Sequence, residues 1–206
     1  MKKIIPVTTL FLDIGGVMLS NGWGHDSRRL AAEKFNLNLS ELEDRHHLTF
    51  VTYEEGKLTL KEYLNRVVFY QKRTFTADKF KEFMFAQSTP YKDMIEFIIK
   101  LKELYRLKIA VVNNEARELN EHRIKKFKLN QFVDFYISSC FVHFRKPDAD
   151  IFRIALDIAQ VPAEHVVYIE NTQMFVDVAR DLGIRSIHHT DYKSTRSELS
   201  LLGLKI

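Results

Sequence analysis

Cysteine is almost absent: Cys140 stands alone in 206 residues. One thiol can close no intrachain disulfide and build no cysteine-rich zinc site, so the oxidised secreted classes are excluded and the cytoplasm is the expected compartment. Four prolines and seven glycines are too few for a collagenous or low-complexity chain. Long apolar runs are missing too. The longest stretch without Asp, Glu, Lys or Arg is residues 14–25, far short of the roughly 20 apolar residues that span a bilayer. Met1-Lys2-Lys3 and the apolar residues after it imitate a signal peptide, but Pro6, Thr8 and Thr9 interrupt the run and Asp13 ends it without a small-residue cleavage site. The run reads as a strand. No long block of one charge sign occurs either. The 31 basic against 27 acidic residues give +4, a surplus that suits a small anionic substrate better than a nucleic acid or a membrane. A monomer or homodimer is expected.

What the chain does contain is ordinary globular material, 46% hydrophobic and 28% charged, in an amount that suits one domain carrying an insertion. Five short runs rich in Val, Ile and Phe predict buried parallel strands at 7–12, 108–112, 132–137, 166–169 and 185–188. Helical spacing of apolar residues marks 91–105, 116–127, 148–159 and 174–182. The alternation predicts an α/β fold: a doubly wound, Rossmann-like core with a parallel five-stranded sheet and its site at the carboxyl ends of the strands. Residues 19–88 break the rhythm with four helix-like stretches, 26–35, 40–50, 59–70 and 76–87. Asp26, Ser40, Thr59 and Thr76 are the expected caps, and Ser40 to Glu43 and Thr59 to Glu62 fit the capping box. The expected organisation is a core of residues 1–18 and 89–206 with a helical cap, 19–88, inserted over the sheet edge, where it excludes water.

Four of the seven glycines, Gly15, Gly16, Gly22 and Gly24, crowd into the residues after Asp13. A carboxylate at a strand end followed by Gly-Gly suggests an anion site, because glycine lets backbone amides approach a ligand closely. Alone, Asp13 reads equally well as a turn former. Three further strand ends add to it: Asn113-Asn114-Glu115, Arg145-Lys146-Pro147-Asp148 and Ile169-Glu170-Asn171. Converging on one edge, they would offer a nucleophile, an amide donor for phosphate oxygens, a balancing cation and oxygens for a hard divalent ion.

That ordered set resembles the haloacid dehalogenase superfamily over essentially the whole chain. Phe11-Leu12-Asp13-Ile14-Gly15-Gly16-Val17 resembles its first motif, Asn113 with Asn114 the second, Arg145-Lys146-Pro147 the third and Tyr168-Ile169-Glu170-Asn171 the fourth. The helical insertion resembles the small α-helical cap subgroup, nearest in flavour to the branch similar to alpha-glucose-1-phosphate phosphatase. The resemblance implies a phosphatase for a small phosphorylated metabolite. Asp13 would attack phosphorus and form an aspartyl-phosphate that water hydrolyses. Lys146 would neutralise charge and Asn113 would hydrogen-bond a phosphate oxygen, with Gly15, Gly16, Asn114 and His25 lining the substrate. Mg2+ would be held by the Asp13 carboxylate, the Gly15 carbonyl and Asn171, with Glu170 nearby.

The pattern is softened in three places. Where phosphatases of the superfamily carry a second Asp as general acid and base, this chain has Gly15; the second motif has Asn113 for Ser or Thr; the fourth has neutral Asn171 for Asp. Loss of a proton shuttle commonly lowers rates about 10²- to 10⁴-fold. His25, in the turn after the nucleophile loop, stands where a replacement acid could act, although a loop histidine without a role is the commoner case. Trp23 and the aromatic stripes of the insertion read as packing, and Cys140 as a small buried hydrophobe. Lys57 and Lys61 read as solvated helix charges, and the adjacent pairs His46-His47 and His188-His189 point apart rather than share a metal. The alternative reading is a catalytically degenerate relative that keeps the pocket to bind a phosphometabolite or a protein partner.

Overall fold

The structure is a computed structural model and describes residues 5–206; Met1, Lys2 and Lys3 of the signal-like start lie outside the described residues. The chain runs β1 (Thr9–Leu12), then α1 (His25–Phe35), α2 (Leu39–His47), α3 (Phe50–Glu54), α4 (Leu60–Val67), α5 (Ala77–Ala86) and α6 (Lys92–Tyr105). There follow β2 (Lys108–Asn113), α7 (Arg117–Lys126), β3 (Phe135–Ser138), α8 (Ser139–Val142), α9 (Asp150–Ala159), β4 (Val166–Glu170), α10 (Gln173–Asp181), β5 (Arg185–His188) and α11 (Tyr192–Leu201). The strands form one parallel sheet in the order β3-β2-β1-β4-β5. This is the expected doubly wound α/β architecture, and β1 lies at its centre with every residue fully buried.

Alternation along the strands divides the sheet into two apolar layers. Leu10, Leu12, Ile109, Val111, Val167 and Ile169 pack with Met94, Phe97, Ile98 and Leu101 of α6 and Leu199 of α11. Phe11, Ala110, Val112 and Tyr168 point the other way, onto Phe152, Ala155 and Ala159 of α9 and Ala179 of α10. A third core lies within the insertion, where Trp23, Leu42, Tyr53, Tyr63, Phe80 and Met84 pack together and take in Ala116 and Leu119 from the start of α7.

The local signals of the insertion behaved unevenly. Thr59 caps α4 with both bonds of the capping box, and Thr76 caps α5 by accepting from Lys79 N–H. Ser40 does not cap α2. Asn38 starts that helix earlier by accepting from Glu41 N–H, and Glu43 turns away to pair with both ends of the Arg28 guanidinium at 2.9 and 2.8 Å. Asp26 lies inside the first turn of α1, whose cap position is Gly24. The single helix expected over 40–50 is two, because Thr49 leaves helical geometry at φ −125° while its hydroxyl donates back to the Arg45 carbonyl. Helix α11, which the periodicity did not mark, is capped by Asp191 accepting from Ser194 N–H.

Candidate active site

The strand ends deliver the charged residues to one place. Asp13 directly follows β1 and its N–H donates to the Ile169 carbonyl at 3.0 Å, which ties the turn to β4. Glu170 ends β4. Lys146 comes from the loop between α8 and α9, and its ammonium donates to Asp13 Oδ1 at 2.9 Å, Glu170 Oε2 at 2.6 Å, the Tyr168 hydroxyl at 3.0 Å and the Val112 carbonyl at 3.2 Å. The Tyr168 hydroxyl in turn donates to Glu170 Oε2. Lys146 is 1% exposed. Burial by itself lowers its pKa, but the carboxylates of Asp13 and Glu170 outweigh that and hold it above the ordinary lysine value. Asp13 goes the other way. Burial, with Glu170 adding repulsion, pushes its pKa up to about 6 against the pull of Lys146.

These residues floor a cavity of about 360 Å³ whose far wall comes from the insertion, with Trp23, Phe50, Tyr53 and Met84 among its linings. Two side walls carry ion pairs. Arg145 donates twice to Glu54 Oε2, at 3.1 and 2.8 Å, and burial raises the Glu54 pKa despite that partner. Arg123, 2% exposed, donates to Glu115 Oε2, to the Ser20 carbonyl and, at 3.0 Å, to Ser88 Oγ. Behind the wall, Trp23 Nε1 donates to the Tyr63 hydroxyl at 2.9 Å, leaving that hydroxyl to donate to His46 Nδ1 at 2.8 Å. Burial, reinforced by the Arg28 charge, lowers the His46 pKa to about 4, so its ring is a neutral acceptor.

Not every residue singled out from sequence faces the cavity. Asp13, Gly15, Asn114, His25, Lys146, Glu170 and Asn171 line it. Asn113, 2% exposed, instead donates weakly to Asn120 Oδ1 at 3.4 Å, and its own Oδ1 has no partner among the described residues. Asn114 lines the cavity with its amide already engaged: it accepts from Lys146 N–H and donates to the Lys146 carbonyl, both at 2.8 Å, which fixes the lysine backbone. Gly16 lies behind Asn171. At φ +80° a Cβ there would stand 2.3 Å from the end of the Asn171 side-chain amide, and its N–H already donates to the Leu19 carbonyl. His25 is a surface residue, two-thirds exposed and 3.1 Å from Glu43. Glu54, Glu115 and Arg123 line the cavity as well, and the sequence motifs assign none of them a role. Glu115 was visible as the acid just past the second strand end, whereas Arg123, two helical turns into α7, carried no signal.

Among the described residues no three His, Cys, Asp or Glu side chains cluster as metal ligands. The donors expected for Mg2+ are of another kind. The Asn171 amide lies 3.1 Å from the Gly15 carbonyl and 3.0 Å from Glu170 Oε1, bridging both when its nitrogen faces them. With the amide turned over, three oxygens converge beside Asp13, a set that fits a hard cation retaining several waters.

A family profile described as Haloacid dehalogenase-like hydrolase matches residues 27–188. The chain belongs to that family. Over 65% of its length it is 25% identical to the Phosphorylated carbohydrates phosphatase of Thermotoga maritima, a match that spans 57% of the relative. In fold it is similar to a HAD family enzyme of Bacteroides thetaiotaomicron crystallised with magnesium and inorganic phosphate, at 16% identity and TM-score 0.73 over 88% of this chain and 93% of the other. It is also similar to the L-2-haloacid dehalogenase of Xanthobacter autotrophicus, at 16% identity and TM-score 0.62 over 94% and 83%. Among the described residues no helix is long and apolar enough to cross a membrane.

Proposed function

We propose that this family member is a Mg2+-dependent phosphohydrolase for a small phosphorylated metabolite, with Asp13 as the nucleophile. The carrying observation is the buried Lys146 ammonium between Asp13 and Glu170 on the floor of a 360 Å³ cavity, a volume suited to a small ligand. Lys146 holds Asp13 in place and offsets the charge of an incoming phosphate. Two carboxylates against one ammonium leave the floor one charge negative, which the Asp13, Gly15, Asn171 and Glu170 oxygens could share with a divalent ion. Bound there, Mg2+ would supply Lewis-acid polarisation of the phosphoryl oxygens. Residues 19–88 act as the cap that keeps bulk water from the phosphoenzyme. The T. maritima relative's name supports a phosphorylated carbohydrate as substrate, and the lone buried thiol suits work in the cytoplasm.

Phosphate release from a panel of phosphorylated metabolites, with and without Mg2+, tests this reading. Turnover should require the metal, and Asp13→Asn should lower it roughly 10⁴-fold or more. The second reading, a binding module, is favoured by Asn113 turned from the cavity and by the missing side chain at Gly15; phosphate retained by calorimetry with no turnover on any substrate would establish it.

A further inference from the structure

Attack by Asp13 leaves an alkoxide to be protonated and a water to be deprotonated, and position 15, a glycine, supplies no group for either. We infer that Glu115 is the general acid and base of this site, held for that work by Arg123; the inference rests on the phosphohydrolase reading above. Glu115 lines the same cavity as Asp13 and Lys146, and its side chain is 12% exposed. Its Oε2 accepts from Arg123, while its Oε1 accepts no hydrogen bond among the described residues and is left to the cavity. Its backbone is fixed as well, because Glu115 N–H donates to Ser139 Oγ at 3.0 Å.

The clamp is built into the nucleophile loop. A Cβ on Gly22, at φ +62°, would stand 2.4 Å from Arg123 Nη2, so a glycine there makes room for the guanidinium. A Cβ on Gly15 would meet Arg123 Nη1 at 3.9 Å and Asn21 Oδ1 at 3.5 Å, ordinary contacts that place the Arg123–Glu115 pair beside the empty position. The charged groups acting on Glu115 are Arg123 of α7, Glu54 of α3 and Asp13 after β1. Burial, backed by Glu54 and Asp13 against Arg123, brings its pKa up to about 7, where both protonation states are available at neutral pH. His25, exposed and paired with Glu43, has no comparable placement.

The steps balance. As Asp13 bonds to phosphorus and the bond to the leaving oxygen breaks, the Glu115 proton passes to that oxygen and releases an alcohol. The Glu115 carboxylate then takes a proton from water as the water oxygen bonds to phosphorus. The bond to Asp13 breaks, which returns the Asp13 carboxylate and inorganic phosphate.

Acetyl phosphate with Mg2+ tests the second step in isolation, because acetate leaves without an acid. Glu115→Gln should label like wild type but lose the aspartyl-phosphate about 10²- to 10⁴-fold more slowly by quenched mass spectrometry. In a Gly15→Asp background the decay should be restored, and the pH dependence of the wild-type decay keeps the test alive if Glu115→Gln folds poorly. Wild-type decay should quicken through about pH 7 and lose that dependence in Glu115→Gln. Equal decay in wild type and Glu115→Gln, or an adduct trapped by Glu54→Gln instead, would overturn the assignment and leave the phosphohydrolase intact. Absence of any adduct or turnover in wild type would remove both.

Discussion

The sheet edge and the helical insertion enclose the same cavity by different means. At the edge, position comes from backbone: β1 and β4 are in register from Thr9 and Val166 to Leu12 and Ile169, so Asp13 and Glu170 follow at neighbouring strand ends and Lys146 needs only to reach between them. In the insertion, position comes from side chains. Trp23, Tyr63 and His46 form a hydrogen-bonded chain, Tyr53 stacks on Tyr63 at 4.3 Å, and Arg28 is held by Glu43 and the Trp23 carbonyl. Register makes the first arrangement readable from strand order, while the second exists only once the aromatic core has packed.

The largest way to break that contrast is at Lys146. Lys146→Met leaves Asp13 and Glu170 facing each other without a cation, and should lower unfolding stability by about 3–5 kcal/mol at neutral pH, read as a shift in urea midpoint. The loss should shrink as pH falls toward about 6, because without the pull of the ammonium Asp13 takes up its proton at a higher pH than in the wild type.

The seam between the two regions comes next. The Glu54 carbonyl accepts from Ser139 Oγ at 2.7 Å, the His143 ring lies 2.7 Å from the Glu55 carbonyl, and Gly56, at φ +70°, would set a Cβ 2.4 Å from the Cys140 carbonyl. Gly56→Ala meets backbone that cannot swing aside. A loss of about 2–3 kcal/mol is expected, and hydrogen exchange should rise in residues 50–60 before it rises in the sheet.

His46 sharpens the comparison from the insertion side. Its folded pKa of about 4 lies below the ordinary 6.5, so between those values the unfolded chain binds the extra proton and stability falls as pH drops. Its own contribution is on the order of 2 kcal/mol between about pH 7 and about pH 4.5. It should be read as the difference between the wild-type and His46→Gln profiles, because the raised Asp13 and Glu115 carboxyls act with the opposite sign in the same window. His46→Gln, which keeps an acceptor for Tyr63, should remove that contribution.

The smallest effect concerns the metal. Asn171→Asp adds a charge at the end of β4 without changing the number of oxygens, and should tighten Mg2+ about tenfold, roughly 1.4 kcal/mol by calorimetry. Unchanged affinity would mean that this side chain does not face the ion.

The sequence by itself determined the alternation of strands and helices, the helical insertion after β1, and the order in which Asp13, the Asn113-Asn114 pair, Lys146 and Glu170 arrive. Buried strands announce themselves by continuous Val, Ile and Phe, and in a parallel sheet the strand ends must share one edge. Tertiary structure decided which way those residues turn. Asn113 and Asn114 are equivalent on paper, yet a half-turn of backbone sends the first toward Asn120 and the second to brace Lys146. The break at Thr49 and the cap at Asn38 depended on single side-chain hydrogen bonds that compete with the helix ladder, which apolar periodicity does not record. Arg123 sits in a helix too polar to advertise an inner face, and its burial follows from three acceptors, Ser20, Ser88 and Glu115, drawn from distant parts of the chain. A buried charge is specified by the partners that surround it, and those partners are assembled only by the fold.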